Sequence, residues 1–198
     1  MTKVYQIVVE QEMRAILHAD VDLAAESDRG VVLIVANDIE ELLEKMFRKE
    51  FGSHVSGSIQ KDLFDYRGAL GSLSSKAKVA FAFRLLRRET YEQMELIRKL
   101  RNNVAHNSKE FSFDSPETLK ILNSFGDFRE LFENWVVRGV AHFATEDERL
   151  HPKAVSLNKF CFIQMSQMIK LLLTWDLENR PSLGEARSDT SEGVEPAN

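Results

Sequence analysis

Val31-Val32-Leu33-Ile34-Val35-Ala36 is the run that most limits what this chain can fold into. It continues into Ile39, Leu42, Leu43, Met46 and Phe47 at three- and four-residue steps, while Glu40, Glu41, Glu44 and Lys45 take the opposite side. That spacing predicts a helix from Val31 to Arg48. Its first turns are apolar all round, and a helix of that kind is normally surrounded by protein. Glu26-Ser27-Asp28-Arg29-Gly30 leads into it. Ser27 suits the N-cap, and Asp28 suits the positive end of the helix dipole. A central helix of a bundle is expected.

The rest of the chain also reads as helices. Tyr5, Val8, Val9, Met13, Ile16 and Leu17 predict one or two short helices between Val4 and Ala25. Phe51 to Leu73 is a connector broken by Gly52, Gly57, Gly68 and Gly71, with Ile59, Leu63, Phe64, Leu70 and Leu73 as expected anchors. A helix is predicted from Ser74 or Ser75 to about Arg87, with Val79, Phe83 and Leu86 inward. After a short turn near Arg88 or Thr90, another runs from about Tyr91 to His106. So short a connection favours antiparallel neighbours. Phe111 and Phe113 are expected to plug a loop from Asn107 to Ser115. Ser115-Pro116 then starts a helix that ends near Gly126, since proline suits the first helical position. Asp127 to Thr145 fits a helix or a short extended piece. Val155, Leu157, Phe160, Ile163, Met168, Leu171, Leu172 and Trp175 predict a long terminal helix from Lys153 to about Asp176. Beyond Glu178 the sequence is polar and rich in acidic residues, so a flexible tail over 179–198 is expected. The expected fold class is all-α, a single-domain bundle of six or seven helices over residues 1–178.

The helix Met94–His106 carries the most chemistry. Met94, Ile97, Leu100 and Val104 form its apolar stripe, and Arg98, Asn102 and His106 lie four apart on the other side. Arg101 and His106 are separated by four residues. A fixed cation beside an imidazole can bind phosphate or move protons. It can equally tie a helix end to its neighbours, with Arg101 paired to an acid such as Asp28 and His106 satisfying the last carbonyls. Asp28 and Arg29, at the mouth of the apolar helix, have the same two readings, because charges there must be paired or solvated.

Charge narrows the partners. The formal net charge is −5 and the sequence pI about 5.6, which argues against a dominant nucleic-acid surface. Arg84, Arg87, Arg88, Arg98, Lys99 and Arg101 are dense, but Glu89, Glu92 and Glu95 lie between them, the pattern of a solvated helix surface. The phenylalanines are spaced as core and not interleaved with basic residues as a stacking platform would be. Cys161, between Phe160 and Phe162, reads as a buried core thiol, and one cysteine makes no internal disulfide. His18, His54, His106, His142 and His151 show no metal spacing, so no metal and no cofactor are expected. The serine clusters contain no nucleophile elbow, and the glycines make no phosphate loop. Neither a secretory signal nor a membrane-spanning run is found, which points to the cytoplasm.

Glu26–Gly30 opening an apolar helix, Leu70-Gly71-Ser72-Leu73-Ser74-Ser75-Lys76 opening a second, and Leu96–His106 together resemble, in order and spacing, the bacterial mannitol operon repressor family. The resemblance covers roughly residues 10 to 175. It implies an all-helical repressor of an operon for sugar-alcohol uptake and use. That family lacks a recognisable helix-turn-helix, which makes repression through a protein partner as plausible as direct DNA binding, and it implies a possible homodimer, with the exposed side of the terminal helix as a candidate interface. Arg101-x4-His106 also resembles the signature of the HEPN helical superfamily, many of whose members are ribonucleases. By that resemblance Arg101 would hold the scissile phosphate, His106 would act as general acid or base and Asn102 would assist, with no metal required. The first expectation is a non-enzymatic regulator with no catalytic residue; the alternative is a HEPN-type ribonuclease or RNA-binding module. In either case Asp28, Arg29, Arg98, Arg101, Asn102 and His106 form the candidate polar cluster.

Overall fold

The computed structural model describes residues 22–106, 111–126 and 156–179, without the side chains of His106, Leu157 and Asn179. Every regular element among them is helical. After a helical turn at 22–25 come α1 (Asp28–Phe51), α2 (Gly57–Phe64), α3 (Leu73–Ala82), α4 (Arg88–His106), α5 (Pro116–Leu122) with a 3-10 turn (Asn123–Phe125), and α6 (Leu157–Asn179). The expectations for Val4–Asp20, for Asp127–Thr145, for a start at Lys153 and for the tail past Asn179 fall outside the described residues. The described residues divide into two compact units, 22–37 with 93–106, 111–126 and 156–169, and 38–92 with 170–179.

In the first unit, α1 starts as its sequence dictates. Ser27 is the N-cap, its Oγ accepting the Gly30 N–H at 3.0 Å. Val31, Val32, Val35 and Ala36 are fully buried. Leu33 and Ile34 are not: they are 42% and 37% exposed. The apolar run is therefore wider than the face the helix buries, which corrects the expectation of burial all round. In α4, Ile97, Leu100 and Val104 are fully buried and Met94 nearly so, as their spacing predicts. Phe113 plugs the core, edge-on to Phe111 at 5.4 Å and against Phe162 at 5.0 Å between ring centroids. Ser115 caps α5 by accepting the Thr118 N–H at 3.3 Å, and Pro116 takes the first turn. On α6, Phe160, Cys161, Phe162, Ile163, Met165 and Ile169 are buried, whereas Met168 is half-exposed. The thiol is a core group.

The second unit is built on Ile39, Leu43, Met46 and Phe47 of α1, with Leu70, Leu73, Ala77, Ala80, Leu85, Leu86 and Leu173. α1 ends at Gly52, whose positive φ and N–H bond to the Arg48 carbonyl stop the helix. The connector contains α2, which the glycines and serines hid from the sequence reading. Ser56 is its N-cap, and no residue of α2 is buried. Ile59 is 53% exposed and so is not an anchor, while Leu70 and Leu73 are. Gly68 and Gly71 sit where the backbone folds onto itself. A Cβ at Gly68 would lie 2.2 Å from the Asp62 carbonyl oxygen, and one at Gly71 2.2 Å from that of Asp65.

α3 also departs from expectation. It starts at Leu73 under a reciprocal cap, Ser72 with Ser75, and ends at Ala82 instead of running to Arg87. Its inner side is Leu73, Lys76, Ala77 and Ala80, and Phe83 points outward. Phe83 and Leu86 fit helical spacing, and no glycine marks the stop. The stop is a Schellman turn: the Leu85 N–H reaches the Ala80 carbonyl at 2.8 Å and the Arg84 N–H that of Phe81 at 2.9 Å. Arg84 takes the left-handed position, at φ 58°. Of the terminal-helix pattern, Leu171 and Trp175 are exposed and Leu173 is buried instead.

Candidate functional site

Four backbone carbonyls end a helix without partners, and an N-terminal turn offers unpaired N–H groups. The first unit satisfies several of these at one place. Asp28 opens α1 and accepts the Phe113 N–H on Oδ2 at 3.0 Å. Its Oδ1 lies 3.6 Å from the Lys159 Nζ on α6. That ammonium is buried and donates to the carbonyls of Ala24, at 3.0 Å, and Glu26. A cation is favourable there, because the turn at 22–25 presents its carbonyl end. Arg29, the next residue, donates from its guanidinium to the Val104 carbonyl in the last turn of α4. A charge taken out of water needs a partner, and both Asp28 and Lys159 have several hydrogen-bonding or ionic ones. Asn158 adds a bond to the Asp114 carboxylate at 2.7 Å.

The structure thus brings Asp28 and Arg29 to the end of α4 that carries Arg101 and His106. Arg101 and Arg98 are half-buried, and Asn102 is exposed. Arg98 pairs with Glu95 one turn back, at 2.8 Å, so its charge is answered on its own helix. The side chain of His106 lies outside the described residues. Several members of the cluster were missed from sequence. Lys159 stands next to Phe160 on the inward side of an apolar helix, and a lone cation in that position signals nearby acceptors. The Phe113 N–H and the Val104 carbonyl are backbone groups, invisible to residue-type reasoning. Among the described residues, no group of three or more metal-ligating side chains gathers, and no helix is long and apolar enough to cross a membrane.

A second polar cluster lies in the second unit. Lys76 is buried and reaches Glu40 at 3.0 Å and Glu44 at 3.6 Å, with the Phe64 ring 5.7 Å away. Arg48 bonds the same Glu44 at 2.7 Å, donates to Gln60 at 2.9 Å, and covers the Phe64 ring at 4.6 Å. This network ties α1, α2 and α3 together. It has the character of a structural lock, with every cation matched to a carboxylate. Lys170 reaches Asp38 at 2.9 Å and Arg87 reaches Asp176 at 3.2 Å, holding the end of α6 in the same unit.

Among the described residues both clusters join helices of their own unit to one another, within an all-helical fold. The mannitol repressor family model matches residues 29–177. The chain belongs to that family. It is 29% identical over 96 residues to the mannitol operon repressors of Escherichia coli K12 and Escherichia coli O6:H1, a stretch that is 48% of this chain and 47% of each relative. The matched stretch thus spans about half the length of the curated relatives. The fold is shared with a chain of the MtlR–HPr complex from Escherichia coli, solved by X-ray crystallography. There the TM-score is 0.58 with 15% identity, covering 81% of this chain and 99% of that one.

Proposed function

We propose that this protein is a repressor of an operon for uptake and use of mannitol or a related sugar alcohol, acting in the cytoplasm through a protein partner and without an enzymatic step. The family match across residues 29–177 carries this reading. The partner limb is supported by the net charge of −5, which disfavours phosphate-rich ligands, and by the fold shared with a chain from a complex with HPr. HPr is accordingly the first partner to test. Asp28, Arg29, Arg98, Arg101, Asn102 and His106 serve in this reading as the clasp at the end of α4 and not as a ribonuclease centre. The working domain is residues 1–178, followed by a tail, and two copies pair in solution.

The test is direct. Deleting the gene should raise mannitol-operon reporter expression, and supplying the chain should restore repression. Calorimetry with purified HPr should show binding, while a gel-shift series on operator DNA across salt concentrations should show none. Unchanged reporter expression would overturn the repressor reading. Salt-sensitive DNA retardation without HPr binding would replace the partner mechanism with direct contact.

A further inference from the structure

The turn between α3 and α4 exposes what a helix boundary normally hides. Phe83 is 59% exposed, although Leu85 and Leu86 two and three residues on are buried and anchor the turn. The base is braced further by Phe81 of α3 stacked on Tyr91 of α4, ring centroids 4.6 Å apart. Phe83 is thus held outward by a well-packed support. It makes no aromatic pair among the described residues.

Arg84, beside it, occupies a left-handed backbone position at φ 58°. Glycine is the usual residue at that point of a Schellman turn, because it carries no Cβ penalty. A strained non-glycine residue that survives there points to a use for its side chain. Arg84 is exposed, and its guanidinium has no partner among the described residues. Arg87 and Arg88 follow, their side chains 57% and 73% exposed. The knuckle is therefore an outward aromatic ring followed directly by Arg84 and, four and five positions on, by the exposed Arg87 and Arg88, on a protein whose net charge is −5.

We infer that this knuckle, Phe83 and Arg84 with Arg87 and Arg88, docks an acidic, apolar segment of a partner protein. Phe83 would enter an apolar pocket, and the guanidiniums would take the carboxylates on its rim. The chemistry is already rehearsed within the chain, where Arg87 holds the Asp176 carboxylate at 3.2 Å. Nucleic acid fits less well. Glu89 and Glu92 interrupt the basic run and are exposed, and Arg88 lies 3.7 Å from Glu92. Affinity for phosphates grows with the number of them neutralised, and each exposed glutamate in the run subtracts from that. Arginine and a large aromatic are also the residues that dominate protein–protein contacts. The inference rests on the proposal that the protein works through a protein partner and names the chemistry of that partner.

The test places a photoreactive benzoylphenylalanine at position 83 of the full chain in cells grown on mannitol. The expected product is a crosslink to another protein, mapped by mass spectrometry to a segment of Asp or Glu with apolar residues. A synthetic peptide of the mapped segment should bind the purified chain. Phe83→Ser and Arg84→Gly should each weaken it about tenfold, and Arg84→Lys should retain most of the binding. Arg84→Gly relieves the backbone, so its thermal midpoint should rise while binding falls, which separates docking from folding. No crosslink, a crosslink to nucleic acid or to a second copy, or a mapped segment that is neutral or basic would overturn the inference. Reporter expression in the deletion strain reads the repressor proposal separately. Unchanged expression with a mapped acidic segment removes only that proposal, and derepression without a crosslink removes only the docking site.

Discussion

Lys159 shows how much one side chain can organise. It is buried, and its ammonium gathers two carbonyls and one face of Asp28, groups more than 130 positions away in the chain. Lys159→Met keeps the apolar stem and leaves those acceptors without their donor. The expected loss is about 1–3 kcal/mol, read as a lower urea midpoint with an unchanged slope. Gly68 makes a sharper case, because an added Cβ would meet a backbone oxygen at 2.2 Å. Gly68→Ala should lower stability by at least about 1–3 kcal/mol, the usual range for forced overpacking. Neither role was legible from residue type. Lysine by type reads as surface, and only its place beside Phe160 on an apolar helix marks it as inward; glycine in a serine-rich stretch reads as a break. What was legible were residues whose chemistry is local, such as the Ser27 and Ser115 caps and the aromatic plug Phe113.

For the helices, boundaries were the weak point and faces the strong one. Ile97 and Leu100 are fully buried, as their step along α4 requires. The α3 stop was missed because its left-handed residue is arginine, which carries none of the glycine signal by which such stops are read. The same element offers two opposed tests. Ser72→Ala removes a reciprocal cap and should cost about 1 kcal/mol. Arg84→Gly should stabilise by about 0.5–1 kcal/mol, the left-handed penalty less the greater freedom of unfolded glycine. Both are measured by thermal unfolding followed by circular dichroism. The short α2 was unreadable for a physical reason: its few apolar residues, Ile59, Leu63 and Phe64, are none of them buried and stand among glycines and serines that read as a break. The wide apolar runs of α1 and α6 misled in the opposite direction, since Leu33, Ile34, Leu171 and Trp175 lie on the unburied flank.

At the scale of the molecule, helical class and family were readable from the sequence, whereas the division into two units was not. Each unit is assembled from separate stretches, and α1, α4 and α6 each supply residues to both. Covalent continuity through three helices should couple the units. Urea unfolding is therefore expected to give one transition, coincident by circular dichroism and by tryptophan emission; two separate midpoints would show independent units. Legibility at this scale depended on the ordered set of three motifs, since no single one of them specifies the family.

The clasp has a consequence for how the protein is made. The Lys159 ammonium must find the Ala24 carbonyl 135 positions earlier. At ribosomal speeds of about 5–20 residues per second, the first turn of α1 waits on the order of ten seconds for that cation to emerge. Until then Asp28 and the valine-rich turns behind it stand in the nascent chain without their closing partner. That interval is when a holdase would have most to bind, and translation arrested before α6 should yield chains marked for degradation.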